Sequence, residues 1–128
     1  MAFLLDTNVA IHLRDGNSDI IDRVAALGAA VQMSIISRVE LENGVYRTPS
    51  LAAPQRARVD AILASIPALA FDNSSADAYR AIIARAGYSR RKMLDRMIAA
   101  QAVVHSAALV TMNASDFADI PELQILAW

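Results

Sequence analysis

The feature that most constrains this chain is a regular alternation between short apolar runs and longer segments with helical periodicity. The apolar runs predict the strands Ala2–Leu5, Ala30–Ile35, Ala68–Phe71, Ala107–Thr111 and Leu123–Ala127. Strands that alternate with helices favour a parallel sheet covered by helices on both faces. The sequence therefore predicts a three-layer α/β/α fold around a central, mostly parallel sheet of four to five strands.

Turn residues and helix caps divide the segments between the strands. Asp15-Gly16-Asn17 and Thr48-Pro49 are typical helix breakers. The predicted helices are Thr7–Leu13, Ser18–Leu27 with Ser18 as its cap and Gly28 in the C-terminal position, Ser37–Arg47, Pro54–Ser65, one from a cap at Ser74 or Ser75 to Gly87, and Leu94–Ser106. Tyr88–Met93 is predicted to be a basic connector.

Composition excludes several classes of site and of protein. A length of 128 residues is expected to form one domain, residues 1–128. The sequence has no cysteine, which excludes disulfides, thiolate zinc sites and cysteine nucleophiles. It contains neither a signal-peptide pattern nor an apolar run long enough to cross a membrane, so we expect a cytoplasmic protein. The hydrophobic fraction of 55% favours an apolar surface kept for a partner.

Acidic and amide side chains follow two of the predicted strands directly. Asp6 comes after the first strand, and Asn113 and Asp116 come after the fourth. In parallel α/β sheets, ligands bind at the carboxyl ends of the strands, near the point where the strand order reverses. The sequence therefore places these residues where such a fold has its binding site.

Two candidate site acids also have structural interpretations of their own. Asp6 is at the position of a helix N-cap, and Glu40 fits a capping box with Ser37. Glu42 lies on the same predicted helix as Glu40 but faces elsewhere, and is expected to be solvated.

Two further acids are open to similar alternatives. Asp95 lies on the first turn of an apolar helix, where it would interact favourably with the helix dipole or pair with Arg91. Asp116 would also suit a turn. Convergence of four acids on one sheet edge is nevertheless the more specific interpretation.

Converging carboxylates repel one another, and a divalent cation removes that conflict. Oxygen ligands favour Mg²⁺ or Mn²⁺ over zinc, and the corresponding chemistry is phosphodiester hydrolysis. Thr111 and Asn113 are expected to support the site by orienting a carboxylate or a water molecule.

Several motifs occur in an order that is typical of one family. They are Leu4-Leu5-Asp6-Thr7-Asn8, Ser34-x-x-Ser37-x-x-Glu40-Leu41-x-x-Gly44-Val45, Asp95-x-x-Ile98-Ala99-Ala100-x-Ala102, Leu109-Val110-Thr111-x-Asn113-x-x-Asp116-Phe117 and a terminal Trp128. On these motifs the chain resembles the PIN-domain ribonuclease toxins of VapBC toxin–antitoxin systems over nearly its whole length.

The resemblance implies a PIN-like fold and an endoribonuclease that depends on Mg²⁺ or Mn²⁺. It assigns Asp6 and Asp95 as the principal metal ligands, together with Glu40. The fourth position is either Asp116 or the neutral Asn113, since relatives differ there. The resemblance also implies a homodimer and a cognate antitoxin that covers the groove.

A basic cluster adjoins Asp95 and is the candidate RNA contact. It consists of Arg90, Arg91, Lys92 and Arg96. Such a cluster would draw phosphates to an otherwise acidic site. The alternatives are that these charges are simply solvated, and that the chain is a catalytically inactive PIN-fold module that binds RNA or regulates.

Overall fold

The apolar runs of the sequence become the strands of a single sheet. A computed structural model describes residues 1–28 and 30–128, and within them the strands are β1 (Ala2–Leu5), β2 (Ala30–Ser34), β3 (Ala68–Leu69), β4 (Ala107–Thr111) and β5 (Ile125–Ala127). The strands that were predicted at 68–71 and 123–127 are thus shorter than expected. The other three match within one residue.

Helices occupy the segments between the strands, as predicted. They are α1 (Thr7–Arg14), α2 (Ser18–Ala26), α3 (Ile35–Arg47), α4 (Ala52–Ser65), α5 (Asn73–Ala86) and α6 (Met93–Val104), with 3₁₀ turns at Pro49–Leu51 and at Ala114–Phe117 (the 114–117 turn). None of the helices among residues 1–28 and 30–128 combines the length and apolar character that a membrane span requires.

The sheet has the order β3-β2-β1-β4-β5, and the pairings within the described residues are parallel. Leu5 lies opposite Met33 of β2 and Val110 of β4. From β1 the chain adds β2 and β3 on one side, and it then adds β4 and β5 on the other side. The strand order therefore reverses between β1 and β4. This arrangement confirms the predicted α/β fold class.

Successive residues of the central strands pack into two separate cores, one on each face of the sheet. Helices therefore cover both faces. Leu4 and Leu109 pack with α5 and α6 residues such as Ile98, whereas Leu5 and Val110 pack in the second core. That second core takes its buried helical members from α1, α2, α3 and α4: Val9, Ala10, Ile20, Leu41, Val45 and Val59. Because side chains of a strand alternate between faces, β1 and β4 contribute to both cores.

The observed helix caps correct three predictions. Asn17 caps α2 in place of Ser18, and Asp72 caps α5 in place of Ser74 or Ser75. Ser34, not Ser37, caps α3, with its Oγ accepting a hydrogen bond of 3.0 Å from the Ile36 N–H. In each case the cap lies one to three residues earlier than predicted, because a polar side chain at the end of the preceding segment already satisfies a free amide.

Helices α1 and α3 approach each other closely along their length. At their N-termini the Thr7 and Ser37 hydroxyls form a hydrogen bond of 2.8 Å. Seven residues further along each helix, the Arg14 guanidinium lies over Gly44, where an added Cβ would meet Arg14 Nη1. The absence of a side chain at Gly44 therefore leaves room for the Arg14 guanidinium in this position, and a larger residue would displace the end of that flexible side chain.

Candidate active site

The carboxyl ends of β1 and β4 lie side by side where the strand order reverses. Asp6 directly follows β1, and its backbone N–H donates a hydrogen bond of 2.9 Å to the Val110 carbonyl of β4. The 114–117 turn follows β4 by two residues. Because ligands of parallel α/β proteins bind at this position, the edge formed by β1 and β4 is the candidate site.

Asp6 is a buried carboxylate with a fixed orientation. Its side chain is only 5% exposed. Oδ1 accepts a hydrogen bond of 2.8 Å from the Thr7 N–H, which confirms Asp6 as the N-cap of α1, and Oδ2 accepts one of 2.8 Å from the Thr111 hydroxyl. Each carboxylate oxygen keeps a further lone pair. The capping role is therefore compatible with binding a cation.

Asp6, Asp95 and Asp116 act on one another electrostatically. Burial raises the pKa of Asp6, the hydrogen bonds from Thr111 and Thr7 lower it, and the charge of Asp116 raises it further. Burial also raises the pKa of Asp95, on the first turn of α6, and the charges of Asp6 and Asp116 add to that increase. The fold thus brings these three carboxylates close enough to repel one another.

Glu40 lies on α3, an element that carries none of the other three candidate acids. It is half-buried on α3, less than one turn after Ser37, which is fully buried. Among the described residues, its charge is not one of those that shift the pKa of Asp6 or Asp95. The expected capping box of Ser37 with Glu40 is wrong because Ser34 is the cap, so that structural explanation of Glu40 no longer applies.

Glu42 differs from its expectation in one respect. It was expected to be solvated, but it is half-buried and forms a two-armed ion pair with Arg56 of α4, in which Arg56 Nη2 lies 3.0 Å from Glu42 Oε1. This pair lowers the pKa of Glu42 and links α3 to α4. Glu42 is therefore part of the scaffold.

Thr111 is the hydrogen-bond partner of Asp6 on the neighbouring strand. It is fully buried at the end of β4, donates its hydroxyl hydrogen to Asp6, and accepts a hydrogen bond of 3.0 Å from the Asn113 N–H. Asn113 itself is exposed at the start of the 114–117 turn. Thr111 thus connects the Asp6 carboxylate to the backbone that leads to Asp116.

The side chains at this edge suit a hard divalent cation by their chemistry. Their donor atoms are carboxylate oxygens, and burial, followed by repulsion from neighbouring carboxylates, raises the pKa of Asp6 and of Asp95. Nevertheless, no group of three or more His, Asp or Glu side chains in the described part of the chain is drawn together tightly enough to form a ready-made cage. The chemistry of Asp6, Asp95 and Asp116 therefore fits a divalent cation, and binding of the cation would draw these side chains closer together.

The basic residues beside Asp95 divide into two kinds. Arg90 and Arg91 are exposed in the connector between α5 and α6. Lys92 is half-buried and its Nζ lies 3.5 Å from Asp119. Arg96 is only 3% exposed and pairs with Asp119 at 3.0 Å. The expectation that Arg96 contacts RNA is corrected, because its buried guanidinium has almost no surface left for a phosphate.

Sequence reasoning missed two residues around the site. Ser37 was taken for a helix cap, whereas it is a buried hydrogen-bond partner of Thr7. Asp119 was not considered, although it is the partner of both Lys92 and Arg96. The pairing joins residues 23 and 27 positions apart, so no local pattern predicts it. The available signal in the sequence was the position of Arg96 in a mostly apolar helix.

An apolar groove lies away from the acids, between α1, α2, β2 and α4. It has a volume of about 510 Å³. Its lining is mainly aliphatic: Leu13, Ile21, Val24, Val31, Ile62 and Ile66. A groove of this character is consistent with the apolar surface that the composition favoured.

Fold and site define a parallel α/β protein with an acidic site at its switch point. The PIN domain family model matches residues 3–123, which is nearly the whole sequence, and the chain belongs to the PIN domain family. A search of curated protein sequences finds no match.

Solved structures agree with this assignment. DNA-bound VapBC from Salmonella typhimurium is 26% identical, with 100% of this chain and 98% of that chain covered and a TM-score of 0.85. VapBC2 from Rickettsia felis, bound to a DNA fragment from its promoter, is 23% identical, with 100% and 99% covered and a TM-score of 0.85. A toxin–antitoxin complex from Klebsiella pneumoniae is 23% identical, with 97% and 95% covered and a TM-score of 0.75. The resemblance that the motifs indicated is thereby confirmed.

Proposed function

We propose that this PIN domain is a metal-dependent endoribonuclease and the toxin of a toxin–antitoxin pair. The observation that carries the proposal is that Asp6 and the turn with Asp116 lie at the adjacent carboxyl ends of β1 and β4, with Asp95 near enough for their charges to act on it. Carboxylates held in this way cost folding energy unless a cation neutralises them. Membership of the PIN family and the VapBC complexes among the solved relatives support the same function.

In this proposal Asp6, Asp95 and Asp116 hold Mg²⁺ or Mn²⁺, and Glu40 of α3 is the further candidate ligand. When bound, such an ion supplies positive charge to the phosphate and lowers the pKa of the attacking water. Thr111 fixes the orientation of Asp6 through its hydroxyl. Asn113 is the alternative to Asp116 as the fourth participant.

Purified protein is expected to cleave a structured RNA in the presence of Mn²⁺ or Mg²⁺ and to stop when EDTA is added. The physical reason is that the acids alone repel a phosphate, so catalysis requires the cation. Calorimetric titration with Mn²⁺ provides the independent measurement. Absence of saturable Mn²⁺ binding by the folded protein would instead favour a catalytically inactive PIN module.

Arg90 and Arg91 are the proposed RNA contacts, since they are exposed and lie close to Asp95 in the chain. The double variant Arg90→Ala/Arg91→Ala is expected to raise KM for RNA several-fold at low salt with little change in kcat. Neutralising two phosphate contacts also reduces the salt dependence of binding, by about 1.4 in the slope of log K against log[salt] for single strands. The measurement is cleavage kinetics at several KCl concentrations. An unchanged slope would mean that the two arginines are merely solvated.

A cognate antitoxin is the proposed protein partner, and a homodimer is the proposed assembly. Relatives of this fold were solved as toxin–antitoxin complexes. The apolar groove between α1, α2, β2 and α4 is a surface of the kind that a protein partner covers, and we assign it to the antitoxin.

A further inference from the structure

A buried arginine stands next to a proposed metal ligand. Arg96 follows Asp95 on the first turns of α6, and it is only 3% exposed. Burying a guanidinium is costly unless its charge and its N–H groups are satisfied. The partners of Arg96 therefore show which parts of the chain depend on it.

The first partner lies at the end of α5. Arg96 Nη1 donates a hydrogen bond of 2.5 Å to the carbonyl of Gly87. Gly87 has φ +88° and ψ 157°, a backbone conformation that is essentially restricted to glycine, and it turns the chain into the connector with Arg90 and Arg91. Arg96 thereby anchors the start of that connector.

The second partner lies beyond the 114–117 turn. Arg96 Nη2 donates a hydrogen bond of 3.0 Å to Asp119 Oδ2, and Lys92 approaches the same oxygen at 3.5 Å. Asp119 comes three residues after Asp116. Phe117 lies between Asp116 and Asp119 in the sequence, is 1% exposed, and packs in the same core as residues of α6. The segment 116–119 is therefore fixed by the packing of Phe117 and by the ion pair of Asp119.

We propose that Arg96 and Asp119 form a positioning pair that sets the separation between Asp95 and Asp116. Arg96 is the neighbour of Asp95 in the sequence, and Asp119 comes three residues after Asp116. The ion pair between Arg96 and Asp119 therefore connects the two segments that carry these acids. A fixed separation sets how strongly a divalent cation is held. This inference rests on the proposed metal-dependent function, and neither residue is expected to touch the substrate.

The test is the affinity for Mn²⁺ measured by calorimetry on the full chain. Asp119→Asn removes the charge at nearly constant shape, and the dissociation constant is expected to rise about tenfold, as is typical when a group that orients a metal ligand is removed. Asp119→Glu restores a carboxylate and is expected to recover part of the affinity. The rise in melting temperature on addition of Mn²⁺ is expected to shrink in parallel.

The chain offers a matched control. Arg85 of α5 pairs with Glu122 at 2.5 Å, so this ion pair also joins the α5–α6 side of the fold to the segment that follows the 114–117 turn. Glu122→Gln removes that pair without altering the one next to the acids. The Mn²⁺ affinity of Glu122→Gln is expected to equal that of the wild type.

The outcomes separate the two proposals. Wild-type binding with an unchanged affinity in Asp119→Asn would overturn the positioning pair and leave the metal-dependent function intact. Equal losses of Mn²⁺ affinity in Asp119→Asn and Glu122→Gln would also overturn the positioning pair, because removal of any ion pair in this region would then weaken Mn²⁺ binding. Failure of the wild type to bind Mn²⁺ would overturn the proposed function, and the positioning pair with it. Should Asp119→Asn not fold, Arg96→Lys provides the same comparison, with a several-fold loss of affinity expected.

Discussion

Asp6→Asn is expected to slow RNA cleavage by at least about 100-fold while the protein remains folded. Groups that merely orient a metal ligand change affinity or activity by about 10–100-fold, so removal of a principal ligand is expected to reach at least the upper end of that range. Asparagine keeps an oxygen that can accept the hydrogen bond from the Thr7 N–H, so the cap of α1 survives. The measurement is single-turnover cleavage of a structured RNA with saturating Mg²⁺.

The same substitution is expected to leave the melting temperature in metal-free buffer unchanged or higher. The pKa of Asp6 is raised in the folded state by burial. A carboxyl with a raised pKa stabilises the fold below its unfolded pKa, and that stability is lost as pH rises through the folded pKa. Forming the charged carboxylate of Asp6 therefore costs more in the folded protein than in the unfolded chain, and the neutral amide removes this cost.

Asp77→Asn is the control for Asp6→Asn, because it makes the same chemical change on an exposed position of α5. The Asp77 side chain is 73% exposed. The variant Asp77→Asn is expected to cleave RNA and bind Mn²⁺ like the wild type. Equal cleavage rates for Asp6→Asn and wild type would refute the assignment of Asp6 as a metal ligand.

Phe117→Ala is expected to lower the free energy of unfolding by about 3–5 kcal/mol. Phe117 is 1% exposed and packs in the core with Leu4, Ile98 and Leu109. Truncation leaves a cavity in a close-packed region, and the loss is a large fraction of the roughly 5–15 kcal/mol that stabilises a typical domain. Because Phe117 anchors the turn that carries Asp116, the folded fraction is also expected to bind Mn²⁺ more weakly.

Urea denaturation measures the effect of Phe117→Ala, with Tyr88→Ala as the control. Tyr88 is 77% exposed, so its truncation is expected to change the free energy of unfolding by no more than about 0.5 kcal/mol. A loss below about 1 kcal/mol in Phe117→Ala would contradict the packing of the 114–117 turn against α6 and the sheet.

Patterns that act over a few residues predicted the architecture correctly. The apolar runs at 2–5 and 107–111 became β1 and β4 with the predicted bounds. Periodicity identifies these elements because each strand or helix must bury one or both of its faces, and this places apolar residues in a regular pattern within the segment itself. The boundaries were less predictable where two capping residues compete within a few positions, as Ser34 and Ser37 do.

The sequence by itself determined the strand–helix alternation, the acid that follows β1 and the family motifs, because each of these is written in neighbouring residues. The tertiary structure decided that β1 and β4 are adjacent, that Asp95 and Asp116 share the electrostatic field of Asp6, and that Arg96 is buried against Asp119 instead of facing solvent. An arginine side chain suits a phosphate and a carboxylate equally well. Which of the two it faces depends on segments that are distant in sequence, and only the packing of α6 against the 114–117 turn brings those segments within its reach.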